Sequence, residues 1–188
     1  AQALQPDTIA LRRAIHEEPE LGLDTPKTLA KVKAALAGLP LTFKEGASCT
    51  GMIAILEGAK PGRTVLLRGD MDALPMPEDT ALDFRSKVQG AMHACGHDAH
   101  TSMLVSAAKV LYARRDQIAG RILFMFQPGE EGHHGARFMI QDGLLDNPKP
   151  DAAFAIHITP NLPAGVVTAK GGAMMASADM CTINVKGQ

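Results

Sequence analysis

Apolar and polar positions follow helical and strand periods in turn along the chain. Apolar positions at helical spacing predict helices over residues 7–18, 26–38, 98–115 and 135–142. Short apolar runs predict strands over residues 50–57, 64–68, 121–126, 152–156 (a buried strand), 166–170 and 180–186. The alternation predicts an α/β fold with three layers, αβα, around a central mixed, largely parallel sheet.

Two pairs of residues mark boundaries between these elements. Thr25 before Pro26 is a typical start for the second helix, because threonine caps and proline suits the first turn. Pro61-Gly62 predicts a turn between the first two strands.

Polar side chains follow three of the predicted strands directly. The run 64–68 leads into Asp70 and Asp72, the run 121–126 leads into Glu130 and Glu131, and the run 152–156 leads into His157. Ligands of open α/β sheets bind outside the carboxyl ends of the strands. If these strands are parallel neighbours, the five residues converge at one edge, where the start of the 98–115 helix joins them.

The densest group of candidate ligands is the segment HACGHDAH at residues 93–100. Cys95 offers a thiolate and His97 an imidazole, but two ligands cannot close a metal shell. Together with Glu131 and His157 they make a sulfur, nitrogen and oxygen set suited to Zn²⁺ or Mn²⁺. Of two adjacent glutamates, one can bind metal while Glu130 handles protons. These residues predict a hydrolase that acts on an amide carbonyl.

Composition narrows the class of protein. Of the 188 residues, 46% are hydrophobic and 21% charged, as in a globular domain or part of a larger one. A formal net charge of -1 and a single Tyr do not indicate a nucleic-acid-binding surface. No apolar run is long enough for a membrane helix. Three scattered cysteines favour a location in the reducing cytoplasm. The alternative is an exported protein whose signal segment has been removed.

Each candidate residue also has a structural interpretation. Cys95 could be a small buried hydrophobe, His157 a core histidine, the Glu130-Glu131 pair an exposed helix start, and Asp70 and Asp72 turn formers. Other residues are expected outside the site: Cys49 and Cys181 as structural thiols, His16 on a helix surface or domain contact, and His133 and His134 in a solvated loop.

Five segments together resemble a known family. They are HEEPELGLDTPKT at 16–28, LLRGDMDALPMPE at 66–78, GAMHACGHDAHTSML at 90–104, FQPGEEGHHGA at 126–136 and AIHITPNLPAG at 156–165. The chain resembles the amidohydrolase branch of the aminoacylase/carboxypeptidase-type metallopeptidases. That branch contains hippurate hydrolases, N-acyl-amino-acid amidohydrolases and indole-acetyl-amino-acid hydrolases.

The resemblance implies a centre of two divalent metal ions, Mn²⁺ or Zn²⁺, and roles for six of the matching residues. Cys95 is implied as the bridging ligand. His97 and His157 would complete the shell of one ion, and Glu131 would serve the other. Glu130 is implied as the general base, and Asp70 as an acid that supports the centre from outside the ligand shell. The resemblance assigns no role to His93, Asp98 or His100.

Family members continue into a lid or dimerisation domain and then return to the catalytic domain. The return supplies a last histidine ligand, and the lid supplies an oxyanion-binding histidine and a dimer contact. We therefore expect residues 1–188 to be the N-terminal segment of the catalytic domain, without the lid and inactive alone, and the full-length enzyme to be a homodimer. His133 and His134 replace the small residues that are usual after the glutamates.

The leading hypothesis is a metal-dependent amidohydrolase that cleaves N-acyl or N-aroyl amino acids or related small amides. The rival from another class is a non-catalytic metal- or ligand-binding module on the same fold. A zinc nucleoside deaminase is disfavoured because its Cys-x-x-Cys segment is missing from the sequence.

Overall fold

The computed structural model describes residues 1–175 and 181–187, and the chain divides into two compact units, Ala1–Ile158 and Thr159–Gln188. The first unit contains the helices and strands in this chain order: α1 (Gln5–His16), α2 (Pro26–Leu36), β1 (Thr42–Glu45), β2 (Met52–Glu57), β3 (Lys60–Asp70), α3 (His97–Tyr112), β4 (Ala119–Gln127), α4 (Gly135–Gln141) and β5 (Ala152–Ala155). Short 3-10 helices lie at Gln2–Leu4 and Arg115–Gln117.

The start of α2 is fixed by a carboxylate from the preceding loop. Thr25 occupies the N-cap position, but its side chain makes no capping bond. Instead the amides of Lys27 and Thr28 donate to the two carboxylate oxygens of Glu20 at 3.0 and 2.8 Å. An acid at this position satisfies amides that the helix leaves unpaired and interacts favourably with the helix dipole.

The sheet has the strand order β1-β2-β4-β3-β5. Strand β3 pairs in parallel with β4 and with β5, whereas β2 pairs antiparallel with β1 and with β4. Four strands therefore point the same way and β2 alone is reversed, which confirms a mixed, largely parallel sheet. Asp70 is the register partner of Gln127, so β3 and β4 end level with each other.

Alternating side chains on β2 and β4 separate two apolar clusters. Met52, Ala54, Leu56, Ile122, Phe124 and Phe126 pack with side chains of α2 and α3 on one face. Ile53, Ile55, Leu123 and Met125 pack with Met139 of α4 on the other face. Because strand side chains alternate between faces, this split places helices on both sides of the sheet and confirms the three layers.

The structure differs from the sequence-based prediction in several elements. Helix ends shift by at most three residues, and the short strand β1 was not predicted. Pro61 and Gly62 lie inside β3, where a register shift between Lys60 and Thr64 accommodates them, so the prediction of a turn there was wrong.

Three further strand predictions have different outcomes. β5 forms, but it is exposed rather than buried, because it pairs only with β3 at the edge of the sheet. Residues 166–170 form no strand. In the run predicted over 180–186, Met180 lies outside the described residues and positions 181–186 are not in a strand. An apolar run makes a strand only where a neighbouring strand accepts its backbone hydrogen bonds.

The second unit is described by itself over residues 159–175 and 181–187, and these residues contain no helix or strand. Its local bonds run from the Val166 amide to the Pro163 carbonyl at 3.1 Å and from the Asn161 amide to Thr159 Oγ1 at 3.3 Å. Among the described residues of the whole chain, no helix is long and apolar enough to cross a membrane.

The packing of the sheet predicts that two phenylalanines of unequal burial contribute very differently to the free energy of unfolding. Phe124, on a central strand, is fully buried, whereas Phe154 on β5 is 61% exposed. We expect Phe124→Ala to lower the free energy of unfolding by about 3–5 kcal/mol, because it removes buried apolar area and leaves a cavity. The matched Phe154→Ala should cost less than about 1 kcal/mol. Urea unfolding measures both, and equal losses would contradict this description of the core.

Candidate metal centre

Asp72 holds together the three segments that surround the site. Its carboxylate accepts the amide of Glu130 on Oδ1 at 2.9 Å and that of Glu131 on Oδ2 at 3.0 Å. Its backbone carbonyl accepts the Nδ1 proton of His97 at 2.7 Å. Asp72, two residues beyond the end of β3, thus fixes both the turn after β4 and the first residue of α3.

His97 presents one ring nitrogen to the site. Since a carbonyl can only accept, the bond from Nδ1 to Asp72 makes Nδ1 the nitrogen that carries the proton when the ring holds a single one. Nε2 is buried, makes no hydrogen bond, and lies 3.5 Å from Asp70 Oδ2, 3.7 Å from Glu131 Oε1 and 3.9 Å from Glu130 Oε2. A buried nitrogen aimed at three carboxylates without bonding to any is the arrangement expected of a metal ligand.

Asp70 is almost fully buried at the end of β3 and is bonded on both oxygens. Oδ1 accepts from His100 Nδ1 at 2.7 Å, and Oδ2 accepts from Arg68 Nη1 at 2.6 Å. Thr101 Oγ1 also donates to the Asp70 carbonyl at 2.6 Å. Burial would raise the pKa of Asp70, but the hydrogen bond from His100 and the charge of Arg68 outweigh it and lower the pKa to about 2. Asp70 therefore stays ionised.

Cys95 and His157 form the exposed side of the cluster. The Cys95 sulfur lies 3.4 Å from His157 Nε2, while His157 Nδ1 donates to the Ile158 carbonyl at 2.6 Å. Burial and the neighbouring carboxylates of Glu131, Glu130 and Asp70 raise the pKa of the Cys95 thiol to about 12. A thiol surrounded by negative charge ionises readily only when a cation is close to it.

The two glutamates leave β4 through the turn at Pro128-Gly129 and differ in exposure. The side chain of Glu130 is 42% exposed and that of Glu131 is 24% exposed. Their amides are tied to Asp72, so the backbone is fixed while both carboxylates face the cluster. The Glu131 carboxylate interacts with the Cys95 thiol, and both glutamate carboxylates lie within 4 Å of His97 Nε2, so both can meet a ligand or a proton.

Three groups of side chains have ligand atoms close enough to share an ion. They are Cys95 with His97 and His157, Asp70 with His97 and His100, and His97 with Glu130 and Glu131, with all ligand atoms of each group within 4.8 Å of one another. Ligand atoms around a tetrahedral zinc ion are separated by roughly 3.3–3.8 Å, given bonds of about 2.0–2.3 Å. Two spacings around His97 Nε2, 3.5 Å to Asp70 and 3.7 Å to Glu131, lie in that range, and the third, 3.9 Å to Glu130, is just beyond it. The residues therefore fit a divalent metal.

A second buried polar cluster lies beside the metal-ligand candidates. His16 of α1 contacts Asp98 Oδ2 through Nδ1 at 2.8 Å and Glu78 Oε1 through Nε2 at 3.3 Å. Arg12 Nε donates to the same Asp98 oxygen at 2.8 Å. His93 is buried next to this cluster without a partner for either ring nitrogen, and burial lowers its pKa to about 4. His93 is therefore neutral at pH 7.

The structure thus brings together the residues that the sequence singled out. Cys95, His97, Glu130, Glu131, His157 and Asp70 all lie in one cluster, at the carboxyl ends of β3, β4 and β5. His133 and His134 are exposed, as expected of a loop. His16 was expected on a helix surface or at a domain contact; the helix-surface alternative was wrong, because His16 is buried to 3% exposure and contacts Asp98 and Glu78. The sequence also gave no signal for the role of Asp72, which acts through backbone amides.

Comparisons with known proteins identify relatives of this chain. The model of the peptidase family M20/M25/M40 matches residues 66–186. The chain is 44% identical to thermostable carboxypeptidase 1 of Saccharolobus solfataricus, over 96% of this chain and 46% of that protein. It is 40% identical to N-acetylcysteine deacetylase of Bacillus subtilis, over 96% of this chain and 47% of that protein.

The chain is also similar in both fold and sequence to a solved structure. It is the Bacillus subtilis YXEP protein, described as a dinuclear metal binding peptidase, with a TM-score of 0.82 and 38% identity over 88% of this chain and 46% of that chain. The chain therefore spans about half the length of the proteins it matches.

The His16 cluster predicts that stability depends on pH. The hydrogen bond to Asp98 raises the pKa of His16 against burial, and Glu78 adds to the rise. A raised pKa means that the stabilisation is complete below about pH 6.5 and is lost as pH rises through the folded-state pKa. The pKa values of Asp98 and Glu78 are lowered, so both stay ionised at pH 5.5.

We therefore expect His16→Gln to lower the free energy of unfolding by about 1–3 kcal/mol at pH 5.5 and by clearly less at pH 9. Urea unfolding at the two pH values measures the difference. The exposed His133→Gln is the control and should show no such dependence. A loss in His16→Gln that grows with pH would exclude the charged pair.

Proposed function

The chain belongs to the peptidase family M20/M25/M40, and from this premise we propose that it binds two divalent metal ions and forms part of an amidohydrolase. The proposed reaction is hydrolysis of the amide bond of an N-acyl or N-aroyl amino acid or a related small amide. The observation that carries the proposal is the buried Nε2 of His97, which has no hydrogen-bond partner and lies 3.5–3.9 Å from three carboxylates.

Each proposed ligand is assigned to one of the two ions or to both. Cys95 would bridge them, His97 and His157 would complete one shell, and Glu131 would serve the other. Zn²⁺ and Mn²⁺ both fit a set of thiolate, imidazole and carboxylate groups. Bound ions of this kind polarise a carbonyl and lower the pKa of water.

Glu130 is the proposed general base. Its carboxylate lies next to the ligand atoms, is 42% exposed, and can meet both water and substrate. Glu130 would take a proton from the attacking water on a carboxylate oxygen and deliver it to the amine nitrogen as the C–N bond breaks, which balances the hydrolysis. Asp72 would hold the Glu130 backbone in place, and Asp70 would support the ligands through His100 and Arg68.

The substrate class is inferred from two relatives. A carboxypeptidase and an N-acetylcysteine deacetylase, by their names, both act on amide bonds whose amine side is an amino acid. We extend this shared feature to the present chain.

We further propose that residues 1–188 are the N-terminal segment of a catalytic domain whose activity depends on more chain. The matched proteins are about twice as long. Four ligands are also few for two ions, since a catalytic zinc commonly has three protein ligands of its own. Dimerisation of the longer protein stays a prediction.

Adjacent glutamates allow the base and the ligand to be separated by experiment. In the protein at the length of its relatives, we expect Glu130→Gln to lower kcat by 10²–10⁴-fold, while its metal content stays unchanged. The neighbouring Glu131→Gln should lower metal content as well as activity. Elemental analysis with hydrolysis of hippurate and N-acetyl amino acids in added Mn²⁺ or Zn²⁺ tests both. Full activity of Glu130→Gln would exclude the base assignment, and metal binding without turnover in the unaltered protein would favour a non-catalytic module.

Two half-buried cysteines test the proposed thiolate ligand. Cys95→Ser should weaken metal binding by at least 10-fold and abolish the thiolate-to-metal charge-transfer band of the Co²⁺-loaded chain. Cys49→Ser changes a thiol of similar burial on the other side of the sheet and should leave both unchanged. Titration calorimetry and absorption spectroscopy of the 188-residue chain measure them. A charge-transfer band that persists in Cys95→Ser would contradict the ligand assignment.

A further inference from the structure

We propose that His100 is a positioning residue that fixes His157 by accepting the Ile158 amide on Nε2 while its Nδ1 is anchored on Asp70. This inference rests on the proposed metal-binding function. A His157 that is held in place keeps its Nε2 beside the Cys95 sulfur, its partner in the proposed ligand set. His100 itself would not contact substrate or metal.

The hydrogen bonds of His100 determine which nitrogen carries the proton. The Ile158 amide lies 2.9 Å from Nε2 and can only donate, so Nε2 is the acceptor. Nδ1 is then the protonated nitrogen and donates to Asp70 Oδ1 at 2.7 Å. Both nitrogens are occupied within the protein. His100 is therefore unsuited to bind an ion while these bonds hold, although its ring lies among possible ligands.

Asp70, the first residue in this series of hydrogen bonds, is held in place by several contacts. Asp70 is 1% exposed, and its other carboxylate oxygen is held by Arg68. The Thr101 hydroxyl binds the Asp70 carbonyl and so fastens α3 to the end of β3. His100 is itself buried on the first turn of α3. The imidazole is thus fixed by a strand and a helix before it reaches Ile158.

His157 needs such support because it lies beyond the end of an exposed edge strand. Its own Nδ1 donates to the Ile158 carbonyl at 2.6 Å, which leaves Nε2 without a proton and directed at Cys95. Ile158 is therefore held at both ends of its backbone, by His100 at the amide and by His157 at the carbonyl. The His100 and His157 rings also meet edge to face, with centroids 4.6 Å apart.

A glycine in the ligand segment makes room for this contact. Gly96 has a φ of +91° and lies between Cys95 and His97. A Cβ at this position would lie 2.7 Å from Ile158 Cγ1, so a larger residue would push the isoleucine away as well as strain the backbone. The segment that carries Cys95 and the segment that carries His157 are thus in contact through Gly96 and through His100.

Replacing His100 by Asn or by Gln tests its two hydrogen bonds one at a time. Asn can place its NH₂ near the Nδ1 position and keep the bond to Asp70, but it does not reach Ile158. Gln can place its oxygen near the Nε2 position and accept the Ile158 amide. If His100 positions His157, His100→Gln should preserve the geometry of His157 and His100→Asn should lose it, although both remove a buried imidazole.

Hydrogen exchange of the metal-free 188-residue chain gives the first measurement. The Ile158 amide should exchange at least 10-fold faster in His100→Asn than in the unaltered chain, and at a nearly unchanged rate in His100→Gln. Long-range ¹H–¹⁵N spectra should show Nε2 of His100 without a proton in the unaltered chain. Equal exchange in both variants, or a protonated Nε2, would overturn the proposal.

Titration with Zn²⁺ alone gives the second measurement. Affinity should fall by about 10–100-fold in His100→Asn, as when a group that orients a ligand is removed, and should be largely restored in His100→Gln. Ile158→Pro, which removes the amide proton together with the isoleucine side chain, should match His100→Asn, whereas Ile158→Ala, which shortens the side chain but keeps the amide proton, should bind more tightly than Ile158→Pro. Equal affinities in all four variants would overturn the proposal. Failure of the unaltered chain to bind Zn²⁺ would contradict the proposed function instead, and the exchange rates would still decide the role of His100.

Discussion

The buried carboxylate of Asp72 is the interaction on which the rest of the site depends. A charge removed from water is costly unless hydrogen bonds replace its hydration, and here two successive backbone amides do so. Because those amides belong to Glu130 and Glu131, satisfying the charge also fixes the turn after β4. The same residue fixes the His97 ring through its carbonyl. The placement of Glu130 and Glu131 thus follows from the solvation of one carboxylate, and that of His97 follows from the backbone carbonyl of the same residue.

Polar groups in the site fall into two kinds. Asp72 and His100 have their hydrogen-bonding atoms used within the protein, and they hold other residues in place. His97, His157 and Cys95 each direct one atom at the cluster, and the first two are oriented by a bond from the opposite ring nitrogen. This division is typical of metal sites, in which outer hydrogen bonds select the tautomer and direction of each ligand. It also explains why chemically similar histidines within residues 93–100 have different roles.

The sequence predicted those parts of the fold that follow from local patterns. The apolar runs of β2, β3 and β4 and the long periodic stretch of α3 were visible because each buries a continuous apolar face. β1 was missed because it is only four residues long and mostly exposed. The burial of His16 could not be predicted, since its partner Asp98 lies 82 residues further along the chain. Convergence at the strand ends was predictable because parallel strands end at the same edge.

The parallel pairing of β3 with β4 has a consequence for the order of folding. Asp70 and Gln127 are register partners although the whole of α3 lies between them in the chain. Closing such a long loop reduces chain entropy before the contacts compensate for it, so parallel pairs form slowly and late. The proposed ligands therefore come together only when the central sheet is complete. Ions would then reach a scaffold that has already folded, and metal uptake would follow the rate-limiting step of folding.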